Sequence, residues 1–270
     1  MCDESYTALA GFYDGLMGDI DYGAWAEYVH SLLQKAGRPV RRIGEAACGT
    51  GNLTLRLKKM GYDILASDAS GQMLERAAQK AREAGQQIVF SCQDMRRLQF
   101  PKVDAVVCAC DGVNYLAPGE LACFFEAAGK CLRPGGALLF DMSSRYKLEQ
   151  ILADQLFFED GEDLTYFWRN TQNRDKQCVE MELTFFCKDA QGSYARTDEA
   201  QRQYWHETGA VLRDLQKAGF EARAYAFGTD FTAVQPVGYL VRHAQYRQDF
   251  HGTLLCAEPQ ECRLYRLLDT

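Results

Sequence analysis

The segment Arg41–Asn52, with the sequence RRIGEAACGTGN, limits what this chain can fold into more than any other feature. It is typical of a short strand, a glycine turn and the start of a helix. Gly49 and Gly51 have no Cβ, so the backbone can turn tightly there and approach a ligand closely. The N–H groups that begin the following helix then point at whatever lies over the turn. The segment therefore predicts the start of a βαβ unit with a ligand at its turn.

A second strand, YDILASD, is predicted to end at Asp68. An acidic residue at that place suits a ribose, because its two hydroxyls can both donate to one carboxylate. A dinucleotide-binding turn would require a third glycine beside the pyrophosphate, and the run after Gly51 lacks it. Glu45 would repel a pyrophosphate but suits a cationic amino group. The expected ligand has a ribose, a cationic end and no phosphate, and S-adenosylmethionine fits that description.

The chain resembles the class I S-adenosylmethionine-dependent methyltransferases in several short segments. They are EAACGTGN, ASDAS with Asp68, CQDMRRL with Asp94 and Met95, and LRPGG at residues 132–136. Within the class it is most similar to a small-molecule branch that includes bacterial uncharacterised methyltransferases, glycine N-methyltransferase-like enzymes and amino-sugar N,N-dimethyltransferases. Gly44 and Ala46 stand where the family usually has bulky aliphatic residues, which predicts a thinly packed first strand.

The resemblance implies a cofactor site at the carboxyl ends of the first strands. Asp94 is expected to accept from the adenine amino group, with a surface acid or helix N-cap as the alternative, and Met95 is expected to contact the adenine ring. Met73 packs either on the adenine or in the core, and N-terminal tyrosines either contact the methionine part or pack between helices. The predicted cofactor-binding residues are Tyr13, Glu45, Ala47, Gly49, Gly51, Asp68, Ala69, Met73, Asp94, Met95 and Cys110.

Methyl transfer from a sulfonium needs alignment and exclusion of water more than a base, so no catalytic residue is assigned. Residues 110–115 follow the fourth strand, where the family places the transferable methyl, and they lack the Asn/Asp-Pro-Pro-aromatic run of nucleobase and glutamine methyltransferases. A small-molecule acceptor, preferably an amine, is therefore expected. The substrate-orienting candidates are Asp111, Asn114, Tyr115 and His206, and the first three have turn stabilisation as the alternative.

Strands and helices alternate through the first half of the chain, which predicts an α/β fold with a doubly wound, mostly parallel seven-stranded sheet. The predicted strands are 43–47, 63–67, 88–92, 103–109, 137–141, 221–227 and 262–268, the last one antiparallel as the family implies. Predicted helices cover 6–17 and 22–36 before the sheet, with others between the strands.

Aromatic and β-branched segments after residue 150 predict an antiparallel β meander over 164–168, 178–186 and 194–204. We expect residues 1–150 and 205–270 to form the methyltransferase domain and residues 151–204 to be inserted as a cap over the substrate. The alternative is that this sheet forms a dimer interface. One sheet can serve as both cap and interface, so the sequence is compatible with a homodimer. Tyr166, Trp168 and Tyr204 either bind substrate or form the core of the meander. Residues 228–261 show no clear pattern.

The composition of the chain limits which kinds of partner it is expected to bind. The net charge is −7, from 30 basic and 37 acidic residues, which argues against a large nucleic-acid surface. Arg41, Arg42, Lys58 and Lys59 are interpreted as scattered solvated charge. No signal peptide or membrane span is predicted. The eleven cysteines are interpreted as reduced residues of a cytoplasmic protein, and the four histidines match no zinc spacing, so no metal is expected.

Two rival functions follow from the same features. One is a nicotinamide-dependent oxidoreductase on a doubly wound sheet, against which the missing third glycine and Glu45 both argue. The other is a protein that binds S-adenosylmethionine without turnover.

Overall fold

The structure, a computed structural model, describes residues 13–17, 20–189, 191–226 and 237–243. The helices in these ranges are α1 (Tyr13–Leu16), α2 (Tyr22–Gln34), α3 (Asn52–Lys59), α4 (Gly71–Glu83), α5 (Glu120–Cys131) and α6 (Thr208–Lys217). The strands are β1 (Arg42–Ala46), β2 (Asp63–Asp68), β3 (Val89–Cys92), β4 (Val103–Cys108), β5 (Leu132–Met142), β6 (Leu156–Asp160), β7 (Leu164–Asn173), β8 (Cys178–Lys188), β9 (Tyr194–Tyr204), β10 (Phe220–Ala226) and β11 (Val237–His243).

The main sheet has seven strands in the order β10-β11-β5-β4-β1-β2-β3. Strands β1 to β5 pair in parallel, and β11 lies antiparallel between β10 and β5. This confirms the predicted mostly parallel, seven-stranded sheet. Because the strand order reverses beside β1, the carboxyl ends of β1, β2 and β4 form the edge where open α/β sheets bind ligands.

Capping residues define the helices next to that edge. Asp21 precedes α2, and its Oδ1 accepts from the Ala24 N–H at 2.9 Å. Ser70 precedes α4, and its hydroxyl accepts from the Met73 N–H at 3.4 Å. Such caps satisfy N–H groups that have no partner within the helix, and the predicted start of α2 at residue 22 is confirmed.

Some predicted elements differ from the observed ones. The seventh strand is β11, within the segment that showed no pattern, and the predicted strand 262–268 lies outside the described residues. Strand β5 begins at Leu132, so it includes the LRPGG segment, whereas the predicted strand began at residue 137. Strand β6 was not predicted, and of the predicted helix 6–17 only α1 lies in the described part of the chain.

The core lies on both faces of the main sheet. One cluster packs β4 and β5 against α5 and α6, and another packs β1 and β2 against α2 and α3. All six residues of β4 are buried. The expectation of a thinly packed β1 is wrong, because a Cβ at Gly44 would collide with the Phe100 ring. The bulky side chain comes from the loop before β4 instead of from β1.

Between β5 and α6 the chain forms a second, antiparallel sheet in the order β6-β7-β8-β9. Alternate residues of β8, from Val179 to Phe185, are buried, and they form a third cluster with Leu148 and Trp205. Tyr166 and Trp168 pack against this cluster. This agrees with the alternative that they form the core of the meander. Tyr13 also packs against it, so α1 connects this sheet to the main domain.

In the described part of the chain no helix is long and apolar enough to cross a membrane. The structure contains free cysteines at positions 48, 108, 110, 123, 131, 178 and 187. Cys92 is disulfide-bonded, so the interpretation of every cysteine as reduced is wrong for this residue.

Candidate active site

The glycine turn between β1 and α3 has the conformation that its sequence predicted. Gly49 has φ 53° and Gly51 has φ 77°, a region that residues with a Cβ rarely adopt. A Cβ at Gly51 would contact Ala77 of α4, whereas a Cβ at Gly49 would meet nothing within 4 Å in the described residues. Gly51 therefore allows close helix packing, and Gly49 leaves open space above the turn.

Asp68 organises this turn from the end of β2. Its Oδ2 accepts from the Gly49 N–H at 2.8 Å, and its Oδ1 accepts from the Ser70 N–H at 2.9 Å. Asp68 therefore holds the turn itself, and its contact with the ribose hydroxyls stays a prediction.

Glu45 is a buried carboxyl group at the carboxyl end of β1, with 2% of the residue exposed. Its Oε2 has no hydrogen-bond partner among the described residues. Burial raises the pKa of Glu45 to about 7, Thr54 lowers it in part, and the charge of Asp68 raises it further. A buried carboxylate without a partner is costly, so this group fits the cationic end of S-adenosylmethionine.

Backbone strain occurs at two predicted sites. Ala47 at the end of β1, and Cys110 and Asp111 after β4, have φ values of 53°, 59° and 53°. Left-handed backbone at residues with a side chain is unfavourable and is concentrated at functional sites. The strain therefore supports the predicted positions at the carboxyl ends of β1 and β4.

Asp111 and Asp141 form a pair of acids at the carboxyl ends of β4 and β5. The Asp141 Oδ2 accepts from the Asp111 N–H at 3.0 Å, and its Oδ1 has no partner within the described ranges. Burial, and then the charge of Asp111, raise the pKa of Asp141 to about 7. Burial also raises the pKa of Asp111, which Lys147 and Ser143 oppose. Asp141 was missed from the sequence, although its place at the end of a predicted strand was a usable signal.

Asn114 connects three segments around this pair. Its Nδ2 donates to the carbonyls of Ser143 and Tyr204 at 3.2 and 2.9 Å, and its Oδ1 accepts from the Ser143 N–H at 2.8 Å. The side chain is fully buried, which matches the alternative of turn stabilisation. The Tyr115 hydroxyl donates to Gln201 of β9 at 3.3 Å. The loop after β4 is thereby joined to the second sheet.

Tyr13 is brought close to several other predicted residues. Burial raises the pKa of Tyr13 well above its usual value, and Tyr22, Tyr115, Cys110 and Asp111 raise it further. Such effects act over short distances, so α1 places its tyrosine beside the loop after β4. Tyr6, another of the N-terminal tyrosines, lies outside the described residues.

Asp14, next to Tyr13, fixes α1 to the glycine turn. It accepts from the Thr50 hydroxyl at 2.6 Å, the Asn52 Nδ2 at 2.8 Å and the Lys80 Nζ at 2.7 Å. We call these four residues the Asp14 cluster. Three donors on one carboxylate position α1 between the cofactor turn and the second sheet.

His206 follows β9 and lies against the loop after β4. Burial lowers its pKa, and the backbone of Val113 and Leu116 partly opposes this. Its Nε2 is buried and has no partner in the described part of the molecule. The ring is therefore neutral at pH 7, and its role as a base stays a prediction.

The predicted adenine site is less complete. Asp94 caps a short 3₁₀-helix and accepts from the Arg96 backbone N–H and from its Nε, both at 2.9 Å. This is the N-cap alternative, and the adenine role stays a prediction. Met95, the next residue, and Ala69 are half-buried. Met73 is 2% exposed, as expected for a core residue. The described residues contain no group of three side chains placed to hold a metal ion.

A strand–glycine turn–helix unit with one acid at the carboxyl end of β1 and another at that of β2 is typical of a class I methyltransferase site. The methyltransferase domain family matches residues 43–136. A protein of Geobacillus sp. (strain WCH70) named as a methyltransferase is 36% identical over 235 residues, which cover 86% of this chain and 94% of that protein. The chain therefore belongs to the methyltransferase family and is an S-adenosylmethionine-dependent methyltransferase.

One solved structure agrees with this assignment, and a second shares the fold. An S-adenosylmethionine-dependent methyltransferase from Clostridium acetobutylicum ATCC 824 has a TM-score of 0.79 and 28% identity, covering 89% of this chain and 99% of that one. The sugar N-methyltransferase of Streptoalloteichus sp. ATCC 53650 has a TM-score of 0.71 and 22% identity, covering 87% of this chain and 92% of that one. The nicotinamide-dependent alternative has no support among these comparisons.

Proposed function

We propose that this enzyme methylates an amine nitrogen of a small molecule that binds beside Asp111 and Asp141. The observation that supports this most directly is the buried acid pair, in which the Asp141 Oδ1 has no partner within the described residues. Two carboxyl groups in a low-dielectric site repel each other and favour a cationic ligand between or beside them. An ammonium group supplies that charge and also the hydrogen-bond donors.

Glu45, Gly49 and Asp68 would hold the cofactor, with Tyr13 and Cys110 closing the site. When bound, S-adenosylmethionine supplies an electrophilic methyl group on a sulfonium. The protein's own residues orient the acceptor nitrogen, exclude water and bind the two cationic ends separately. Glu45 lies at the end of β1 and Asp141 at the end of β5, so the cofactor amino group and the acceptor amine have different carboxylates.

The second sheet forms the cap over this acceptor site. Gln203 of β9 donates to the Asp111 Oδ1 at 3.5 Å, and the Tyr204 carbonyl accepts from Asn114. These contacts join the cap to the loop where the acceptor binds. We accordingly retain residues 151–204 as an inserted cap and residues 1–150 and 205–270 as the methyltransferase domain. The sugar N-methyltransferase that shares this fold also acts on a nitrogen, which agrees with an amine acceptor.

Labelled S-adenosylmethionine with matched acceptor pairs tests the proposal. Each pair consists of an amine and the corresponding alcohol, for example an amino sugar and its parent sugar, or glycine and glycolate. Transfer to amines is expected, with a rate that rises with pH towards the amine's own pKa. In Asp141→Asn the KM for the amine should rise roughly tenfold or more, while S-adenosylhomocysteine still binds. Transfer to alcohols with inert amines would contradict the proposal.

The outer face of the cap supports a homodimer. Phe158 and Phe167 are 68% and 41% exposed, and their rings lie 6.4 Å apart. Phe167 also contacts Phe186. Exposed aromatic clusters of this kind are typical of contact surfaces, and we assign this one to a second copy of the chain. Light scattering should give a dimer for the wild type and a monomer for Phe158→Glu, and a monomeric wild type would refute the assignment.

We also propose a cytoplasmic location with no nucleic-acid substrate. The free cysteines of the described residues support this location, because thiols stay reduced in the cytoplasm. The disulfide of Cys92 argues in the opposite direction. Cell fractionation tests the location.

A further inference from the structure

Four arginines meet at the amino ends of the main sheet's strands, opposite to the active site at the carboxyl ends. Arg38 and Arg41 precede β1, Arg42 begins it, and Arg133 lies in β5 beside them. Together with Pro39, Asp63 and Asp104 they line an open cleft of about 480 Å³. We call Arg38, Arg41, Arg42 and Arg133 the arginine cluster. From the sequence, Arg41 and Arg42 were interpreted as scattered charge, because Arg38 and Arg133 come close only in the folded sheet.

Asp104 holds this cluster in place. It is 4% exposed, and its Oδ2 accepts from the backbone N–H groups of Arg41 and Arg42 at 3.1 and 2.9 Å. Its Oδ1 accepts from the Arg133 Nη1 at 2.8 Å, and the Arg38 Nη2 lies 3.6 Å away. Asp104 therefore fixes the backbone at the start of β1 and two guanidinium groups around the cleft.

The positive charge of the arginine cluster exceeds the negative charge of the carboxylates beside it. Arg42 pairs with Asp63 at 2.6 Å, and the Arg41 guanidinium has no hydrogen-bond or ion-pair partner in the described part of the chain. Four guanidinium groups face two carboxylates, which leaves two excess positive charges in a chain whose net charge is −7. Like charges brought together repel, so the arrangement favours a dianionic ligand.

We propose that the arginine cluster binds a small phosphate-bearing molecule, with a diphosphate group as the best match. Guanidinium groups bind phosphate oxygens in pairs, with planar geometry that lysine lacks. The cleft has the size of small-molecule sites, and the negative net charge disfavours a long nucleic-acid contact. Glu45 and Asp68 lie at the opposite ends of the same strands, so this site is separate from the cofactor site.

Calorimetry with inorganic pyrophosphate, at low and at moderate salt, tests the proposal on the full chain. The wild type should bind, and Arg41→Gln should weaken binding about tenfold to a hundredfold, as expected for the loss of one charge-assisted contact. Arg41→Gln is suitable because its side chain has no described partner whose loss would unfold the protein. Arg76→Gln on α4, which is exposed, is the matched control for net charge and should bind as the wild type does.

S-adenosylhomocysteine should bind equally well to all three proteins, so the result is independent of cofactor binding. No pyrophosphate binding by the wild type, equal binding by Arg41→Gln, or an equal loss in Arg76→Gln would overturn the site. Titrations with ADP distinguish the sources of the diphosphate: equal affinity that depends on Arg41 indicates a nucleotide, and weaker affinity indicates the free anion. An RNA oligonucleotide that displaces pyrophosphate at lower concentration than ADP would overturn the assignment to a small molecule.

Discussion

At the scale of single residues, Asp68 and Glu45 have different tasks at neighbouring strand ends. Asp68 accepts from two backbone N–H groups of the turn. Glu45 is buried, and its Oε2 lacks a partner among the described residues. The first group is therefore hydrogen-bonded without a ligand, whereas the second has a buried oxygen that suits a cationic ligand.

Replacing Asp68 with alanine should weaken S-adenosylhomocysteine binding roughly tenfold to a hundredfold, because unpaired buried donors cost about 1–3 kcal/mol. Asp63→Ala, at the other end of β2, is the control and should leave the affinity unchanged. Calorimetry on folded protein measures both. Unchanged affinity in Asp68→Ala would remove this residue from the site.

The pKa of Glu45, about 7 in the free protein, predicts a pH-dependent cofactor affinity. A cationic amino group binds the ionised carboxylate, so S-adenosylhomocysteine should bind more tightly as the pH rises through about 7 and then level off. Glu45→Gln should bind more weakly and show little dependence on pH. Methylthioadenosine, which lacks the amino-acid end, is the matched control ligand. A pH dependence that survives in Glu45→Gln would point to another group.

At the scale of elements, α1 depends on contacts distant in sequence. Asp14 reaches Thr50 and Asn52 at the start of α3 and Lys80 in α4. Burial raises the pKa of Asp14, but hydrogen bonds from these three residues lower it overall. The cluster fixes the element that places Tyr13 near Cys110 and Asp111, so it connects helix docking to the shape of the active site.

A double-mutant cycle with Asp14→Ala and Lys80→Met tests this connection. A half-exposed ion pair contributes little, so the coupling energy in unfolding should be at most about 1 kcal/mol. Cofactor affinity should fall in both single variants because α1 is held less firmly, and hydrogen exchange of α1 should increase. Gln79→Ala on α4 is a suitable control. Cofactor affinity that is insensitive to both substitutions would separate α1 from the site.

At the scale of the whole molecule, the carboxyl ends and the amino ends of the main sheet's strands carry opposite net charge. Acids lie at the carboxyl ends of β1, β2 and β5, and arginines lie at the amino ends of β1 and β5. Two of the acids, Glu45 and Asp141, have a pKa of about 7. The native state therefore retains protons that the unfolded chain has already released near pH 4 to 4.5.

This difference in proton binding predicts how stability depends on pH. A raised carboxyl pKa contributes stability that is present at low pH and lost as the pH rises through about 7. The free energy of unfolding of the ligand-free protein should be higher at about pH 5.5 than at about pH 8, by on the order of a few kcal/mol. Urea titrations at both pH values measure it, and the double variant Glu45→Gln/Asp141→Asn should reduce the difference. Rising stability over this range would contradict the buried positions of these acids.

Local sequence determined those features of this protein that depend on residues close together in the chain. Glycines at Gly49 and Gly51 were needed for positive φ, Ser70 and Asp21 for helix caps, and apolar runs for buried strands. The same patterns, with the family resemblance, predicted the parallel sheet, the cofactor and the carboxyl edge as the ligand site. These conclusions rest on backbone conformation and on hydrophobic periodicity, which neighbouring residues specify.

Tertiary structure alone decided which distant residues meet. Phe100 fills the space above Gly44, Asp141 joins Asp111, and Asp14 reaches Lys80, because loops and helices far apart in sequence pack together. Strand β11 was not predictable from its own residues, since its place between β10 and β5 comes from pairing on both sides. The arginine cluster has the same origin. Long-range packing brings its members from two strands to one cleft, and no local pattern contains that information.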